Sequence, residues 1–113
     1  MKVIISKQHS PLSQQIEDYA TLKISKLSKY NPRILEITAH LITEVAHRGA
    51  DDDYHCELEI KIPGNDLTIR DSERSMDKAI DKCVERAKRL IVKTKEKTIS
   101  KKHKEGERAR NKV

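Results

Sequence analysis

The spacing of apolar residues changes several times along the chain, and each change predicts a new element. The β-branched run Lys2–Ser6 predicts a short strand. Ser13 is a typical helix N-cap, and apolar residues follow it at helical spacing to about Tyr30. These residues are Ile16, Ala20, Ile24 and Leu27. Asn31-Pro32 should end this helix, because the residue before a proline is disfavoured in helical conformation.

The middle of the chain has the period of two that is typical of half-buried strands. It runs from Leu35 to Val45, and the residues on the predicted buried face are Ile37, Ala39, Leu41, Thr43 and Val45. A polar loop over residues 47–53 interrupts it, and alternation resumes over Tyr54–Ile62. The inward residues of this second segment are Cys56, Leu58, Ile60 and Ile62. The pattern predicts two antiparallel strands, each with one solvated face.

A hairpin and a long helix are predicted next. Pro63–Asp66 is a turn sequence, after which Leu67 and Ile69 mark a short fourth strand. A helix then begins at Ser72 or Ser75 as N-cap, with an apolar stripe that comprises Met76, Ile80, Cys83, Ala87, Leu90, Ile91 and Thr94. The apolar period is lost in Ser100–Val113. We therefore expect one folded domain over residues 1–99 and a disordered basic tail over 100–113.

The resulting order, β-α-β-β-β-α, predicts an α+β fold in which two helices pack on one face of a four-stranded sheet. A length of 113 residues fits one domain. No apolar run is long enough to span a membrane, and the N-terminal apolar stretch is too short for a signal peptide. Cys56 and Cys83 fall in buried positions, which predicts reduced core thiols in a cytoplasmic protein.

Positive charge is concentrated in the last third of the chain. Residues 1–72 hold 9 Lys and Arg against 11 Asp and Glu, a net charge of −2, whereas residues 73–113 hold 15 against 7, a net charge of +8. Such asymmetry predicts a polyanionic partner, either a nucleic acid or an acidic membrane surface.

Six cations of the last helix form what we call the basic stripe. They are spaced 4, 4, 3, 4 and 4 residues apart, and they are Lys78, Lys82, Arg86, Arg89, Lys93 and Lys97. Asp77, Asp81 and Glu85 lie on a neighbouring flank rather than among them. A solvated face normally mixes signs at these spacings, so like charges in a row favour phosphate binding. Lys23 and Lys26 of the first helix are expected to border the stripe from the side.

The aromatic content indicates which kind of RNA this surface would suit. The chain has three Tyr, no Phe and no Trp, and so lacks the aromatic platforms on which single-stranded bases stack. Cations without such platforms favour recognition of phosphate geometry on folded RNA. Because Arg86 and Arg89 lie off the apolar stripe, reversing both charges is expected to abolish binding and leave the fold intact.

No catalytic constellation is evident in the sequence. Asp51-Asp52-Asp53 lacks the ligand spacing of a metal site and is interpreted as a solvated loop, although an enzyme using it remains a third hypothesis. The five histidines are scattered, and no Cys/His spacing suggests zinc. We expect a non-enzymatic protein with no cofactor and no metal.

Two segments resemble the ribosome hibernation factors, also known as sigma modulation proteins. They are Ile24–Tyr30 and Ser75–Lys82, and the sharpest motif is Met76-x-x-Ala79-Ile80-Asp81. The resemblance is to the short hibernation-promoting factor and the ribosome-associated inhibitor, and it covers about residues 1–98. It implies a double-stranded-RNA-binding-domain-like fold. The RNA-facing positions that it implies are Lys23, Lys26, Lys82, Arg86, Arg89 and Lys93.

The resemblance implies a protein that binds the small ribosomal subunit near the decoding centre, as a monomer when off the ribosome. There it would block messenger RNA and A- and P-site tRNA sterically, under starvation or in stationary phase. The alternative is a general double-stranded nucleic-acid binder without ribosome preference. Whether the protein promotes or prevents ribosome pairing stays open.

Three departures from the family pattern bear on these expectations. Asp77 stands where the family usually has an aromatic residue after the motif methionine, so contacts at that corner should differ. Residues 100–113 are basic, whereas the inhibitor-type tail is acidic. The dimerisation domain of the long forms has no counterpart in this sequence, so ribosome pairing driven by that domain is not expected.

Overall fold

Four strands and two helices form the protein in a computed structural model that describes residues 1–8, 12–44 and 53–111, with side chains described as far as Thr94. The elements in chain order are β1 (Lys2–Gln8), α1 (Gln14–Ser25), a 3₁₀ turn (Lys26–Tyr30), β2 (Glu36–Glu44), β3 (Asp53–Lys61), β4 (Leu67–Glu73) and α2 (Met76–Asn111). The predicted order β-α-β-β-β-α and the α+β fold class are confirmed. The loop predicted before β3 lies outside the described residues, apart from Asp53, which opens that strand.

The strands lie in the order β1-β2-β3-β4 in one mixed sheet. β1 runs parallel to β2, because α1 carries the chain back across the sheet between them, and the other two pairs are antiparallel. The β2–β3 register places Ala39 opposite Leu58 and Leu41 opposite Cys56. The period-two pattern therefore puts apolar rows on a single face, which we call the inner face.

Both helices pack on the inner face and bury it. Ile24 of α1, Leu58 of β3 and Ile80 of α2 have 0% exposure, and Ala39 and Cys83 are equally buried. The opposite, outer face carries the polar residues of the alternation, which include Glu36, His40, Glu44, His55, Glu57, Glu59, Lys61 and Arg70. The two sides of the molecule thus differ in chemistry.

The first helix is capped and ended by local side-chain bonds. The Ser13 hydroxyl accepts a hydrogen bond from the Ile16 amide at 3.3 Å, which confirms the predicted N-cap. The α-helix ends at Ser25, five residues before the predicted end, and a 3₁₀ turn follows to Tyr30. The Ser25 and Ser28 hydroxyls bond to backbone carbonyls one turn earlier, and such back-bonding tightens or bends a helix.

The β3–β4 hairpin and the end of β4 show which of the two predicted serines precedes α2. Gly64 has a φ of 81°, a conformation that glycine adopts without strain, and it forms the β3–β4 turn. β4 extends through Ser72 to Glu73, so the predicted N-cap at Ser72 is wrong. Ser75 immediately precedes the helix, and its carbonyl accepts from the Ala79 amide at 3.0 Å.

The backbone of α2 is helical to Asn111, whereas the sequence predicted a disordered tail from residue 100. Lys, Glu and Arg dominate the last part of the helix, and these residues are good helix formers. Extending an existing helix is also much easier than nucleating one, so the packed segment of α2 can propagate past its apolar stripe. The functional boundary at residue 99 stays a prediction.

The two cysteines lie together in the core, where β3 meets α2. Cys56 and Cys83 are buried free thiols, as predicted, and the Cys83 thiol donates to the Cys56 carbonyl at 3.2 Å. Hydrogen bonding to Cys83 and burial raise the pKa of the Cys56 thiol. The thiol therefore stays protonated near neutral pH and is a core group rather than a nucleophile.

Replacing Ile80 tests the helix–sheet packing. Ile80→Ala should lower the free energy of unfolding by about 2–5 kcal/mol, because it leaves a cavity beneath α2. Leu22→Ala is the matched control, since Leu22 on α1 is 59% exposed and its loss should change stability by no more than about 0.5 kcal/mol. Urea unfolding measures both. Equal effects of the two substitutions would contradict the described packing.

Candidate nucleic-acid interface

The basic stripe does not stand free of the sheet, because two of its members reach across to β4. The Lys82 ammonium lies 3.4 Å from a Glu73 carboxylate oxygen. The Arg86 guanidinium lies 2.9 Å from the Asp71 carboxylate and donates to the Arg70 carbonyl at 3.3 Å. The Arg86 contacts thereby fix this flank of α2 along β4, whereas the exposed Lys82–Glu73 pair contributes little.

Arg86 has a structural contact that helical spacing alone could not reveal. Its partner Asp71 is on the inner face of β4, with a side chain only 10% exposed. A carboxylate so nearly buried needs a compensating charge, and losing that charge is costly. Arg86 therefore ties α2 to β4, and the expectation that its reversal leaves the fold intact is not supported by this geometry.

The outward side of α2 carries the cations that are available to an external ligand. We call Lys78, Arg89 and Lys93 the crest, and all three side chains are exposed. Arg89 pairs with Glu85 at 3.6 Å, but both side chains are more than half exposed, and such pairs contribute little. Lys78 and Lys93 form no ion pair with another side chain in the described part of the chain.

A depression runs beside the crest. It has a volume of about 370 Å³ and is lined by Arg86, Arg89, Leu90 and Lys93. Leu90 is half-buried and gives it an apolar side, while the three cations surround it with positive charge. An apolar surface rimmed by cations suits the ribose and phosphate groups of a nucleic-acid backbone.

The opposite flank of α2 meets α1 through an acidic residue. The Tyr19 hydroxyl donates a hydrogen bond to the Asp81 carboxylate, and the Lys23 ammonium lies 3.5 Å from the same group. Hydrogen bonding to Asp81, together with burial and nearby acidic charge, raises the pKa of Tyr19 to about 12. Asp81 thus stands between Lys23 and the crest and partly neutralises the lysine.

A second basic cluster was missed in the sequence. The Lys29 and Lys88 ammonium groups lie 5.1 and 5.4 Å from the centre of the Tyr30 ring, within range of cation–π attraction. Lys88 is two helical turns after Asp81, so helical spacing alone places the two residues on the same flank of α2. The approach of Tyr30 depends on the 3₁₀ turn, which the sequence did not predict.

Two further predicted site residues are Lys26 and Lys97. Lys26 is exposed at the start of the 3₁₀ turn. Lys97 is on the helical backbone of α2, and its side chain lies outside the described residues. The structure thus groups Lys78, Arg89 and Lys93 on one outward side, with Lys82 and Arg86 beside them. Lys23 and Lys26 are on the α1 side.

The architecture defines a small α+β protein with an exposed cationic helix on one side of its sheet. A family model described as sigma 54 modulation protein / S30EA ribosomal protein matches residues 3–99, and the chain belongs to this family. The family predicted from the two motifs is confirmed. In the described part of the chain, no helix has the length and apolar character needed to cross a membrane.

Two solved structures share the fold. One is a ribosomal subunit interface protein from Coxiella burnetii, with a TM-score of 0.69 and 17% identity over 84% of this chain and 98% of that chain. The other is the N-terminal domain of Protein Y from Thermus thermophilus, with a TM-score of 0.62 and 19% identity over 82% of this chain and 94% of that chain. At these identities the likeness concerns the fold.

Alanine substitutions should separate the two arginines by their effect on stability. Arg86→Ala is expected to lower the free energy of unfolding by about 1–3 kcal/mol, because it leaves the Asp71 carboxylate without its partner. Arg89→Ala, one turn along α2, should change it by no more than about 0.5 kcal/mol. Chemical denaturation of the two variants measures this, and a larger loss for Arg89→Ala would refute the structural assignment of Arg86.

Proposed function

We propose that the protein is a ribosome hibernation and translation inhibition factor that binds ribosomal RNA of the small subunit near the decoding centre. The observation that carries the proposal is the crest, three exposed cations on the outward side of a helix that is fixed to its sheet. Family membership over residues 3–99 supports the ribosome as the partner. The fold likeness to a ribosomal subunit interface protein supports it further.

Phosphate contact follows from how weakly the crest cations are held. Exposed ion pairs exchange partners readily, so Arg89 can leave Glu85 for a phosphate, and Lys78 and Lys93 have no ion pair in the described structure to give up. Neutralised phosphates release counterions, which makes the affinity strongly salt-dependent. Three crest contacts correspond to a log–log slope on the order of −2 to −3.

The inhibitory mechanism is steric. A protein seated near the decoding centre occupies the space of messenger RNA and of A- and P-site tRNA, and no bond is made or broken. The principal extents of 64 × 29 × 17 Å describe an elongated molecule, whose length comes largely from the 36-residue helix α2. We further propose that it acts in the cytoplasm during starvation or stationary phase and is monomeric off the ribosome.

Charge reversal on the crest should weaken binding to small subunits. Arg89→Glu with Lys93→Glu is expected to reduce affinity more than tenfold at moderate salt, because two phosphate contacts become repulsive. The matched control is Lys61→Glu with Arg70→Glu, which changes net charge equally on the outer face. Co-sedimentation with purified small subunits measures both. Equal loss in the control would mean that net charge, rather than the crest, determines binding.

Competition experiments should separate the ribosome from nucleic acid in general. Excess duplex RNA is expected to displace little of the protein from small subunits, while bound protein should exclude initiator tRNA and messenger RNA. Filter binding of labelled tRNA and duplex measures the two effects. Efficient displacement by any duplex, with tRNA binding unaffected, would instead identify a general double-stranded nucleic-acid binder.

A further inference from the structure

The outer face of the sheet holds a group of metal-ligating side chains that the RNA proposal does not use. His40 on β2 lies directly opposite Glu57 on β3, and Glu59 is two residues farther along β3 on the same face. Ligand atoms of all three lie within 4.8 Å of one another. They share a face because of the antiparallel register, which explains why the sequence spacing gave no indication of them.

The imidazole of His40 lacks the partners that a half-buried polar ring needs. Both of its ring nitrogens are buried from solvent and form no hydrogen bond in the described structure. Its Nε2 atom lies 3.3 Å from a Glu59 carboxylate oxygen, without hydrogen-bond geometry. Buried polar atoms are rarely left unsatisfied, so this ring is suited to an additional ligand.

The charges of the two glutamates also favour a bound cation. Glu57 and Glu59 project from one face of a single strand, so their carboxylates repel each other. Arg70 is opposite Glu57 in the β3–β4 register, but no ion pair joins them in the described structure. A cation placed between the carboxylates and the imidazole would relieve the repulsion.

We propose that His40, Glu57 and Glu59 form a binding site for a divalent transition-metal ion of the zinc class. Imidazole nitrogen with carboxylate oxygen is a donor set that zinc accepts. Ligand atoms on a tetrahedral zinc ion are roughly 3.3–3.4 Å apart, given bonds of about 2.0–2.1 Å. The separation of His40 Nε2 from Glu59 matches this distance, and Glu59 is half exposed and free to adjust. The fourth position is left for water.

A similar cluster at the end of the same strands provides an internal comparison. Glu44, Asp53 and His55 also bring their ligand atoms within 4.8 Å. His55, however, already forms a 2.8 Å hydrogen bond to Glu44, so a metal ion would have to displace an existing partner. The cluster at His40 also lies in the interior of β2 and β3, whereas Glu44 ends β2 and Asp53 begins β3. We therefore assign the metal to His40 and not to His55.

Zinc titration of the intact protein tests the site. Wild-type protein, stripped of metal and free of any histidine tag, should bind one equivalent of zinc chloride at this site, measured by isothermal titration calorimetry. His40→Gln and Glu59→Gln should each lower the affinity of that equivalent by at least about tenfold. His55→Gln is the matched control and should leave it unchanged.

Three outcomes of the titration would contradict a zinc site at His40. Absence of zinc binding by the wild type would overturn the proposal, as would undiminished binding by His40→Gln or equal loss in His55→Gln. Should His40→Gln fail to fold by circular dichroism, the exposed Glu59→Gln variant decides alone. The site is on the face opposite α2, so these outcomes are independent of whether the crest binds RNA.

Discussion

Burial of the apolar stripe of α2 against the sheet is the interaction on which the rest of the structure depends. Ile80, Cys83 and Ile91 of this helix are fully buried. Because a helix is rigid, burying one side fixes the direction of every other side chain around it. The same packing closes the core over β3 and β4 and places the outward side of α2 away from the sheet.

The two flanks of α2 then acquire different roles from their neighbours. Arg86 pairs with the nearly buried Asp71 of β4, with the more exposed Lys82–Glu73 pair beside it, while Asp81 on the other flank bonds to Tyr19 of α1. These contacts fix the rotation of the helix about its own axis. The crest is left on the outward side. The row of cations in the sequence therefore contains some side chains that hold the fold together and others that are available to a ligand.

Much of the fold could be predicted from the periodicity of the sequence. Which cations of α2 pair with the sheet and which are available to a ligand could not. The period-two strands, the Ser13 cap and the order of elements were predictable because each depends on neighbours in the chain. Arg86 and Arg89 have equivalent helical spacing, yet only Arg86 meets a nearly buried aspartate, and that depends on tertiary packing. The helical backbone past residue 100 was missed because propagation from a packed segment leaves no apolar pattern. The cluster at His40 depends on cross-strand register in the same way.

In the proposed function, α2 is held on the sheet by its apolar stripe and presents its crest to ribosomal RNA. A cryo-electron microscopy structure of the protein on the small subunit tests this most directly. We expect Lys78, Arg89 and Lys93 to lie against RNA phosphates near the decoding centre, with the outer face of the sheet turned away. A complex in which the outer face contacts the RNA while the crest faces solvent would contradict it.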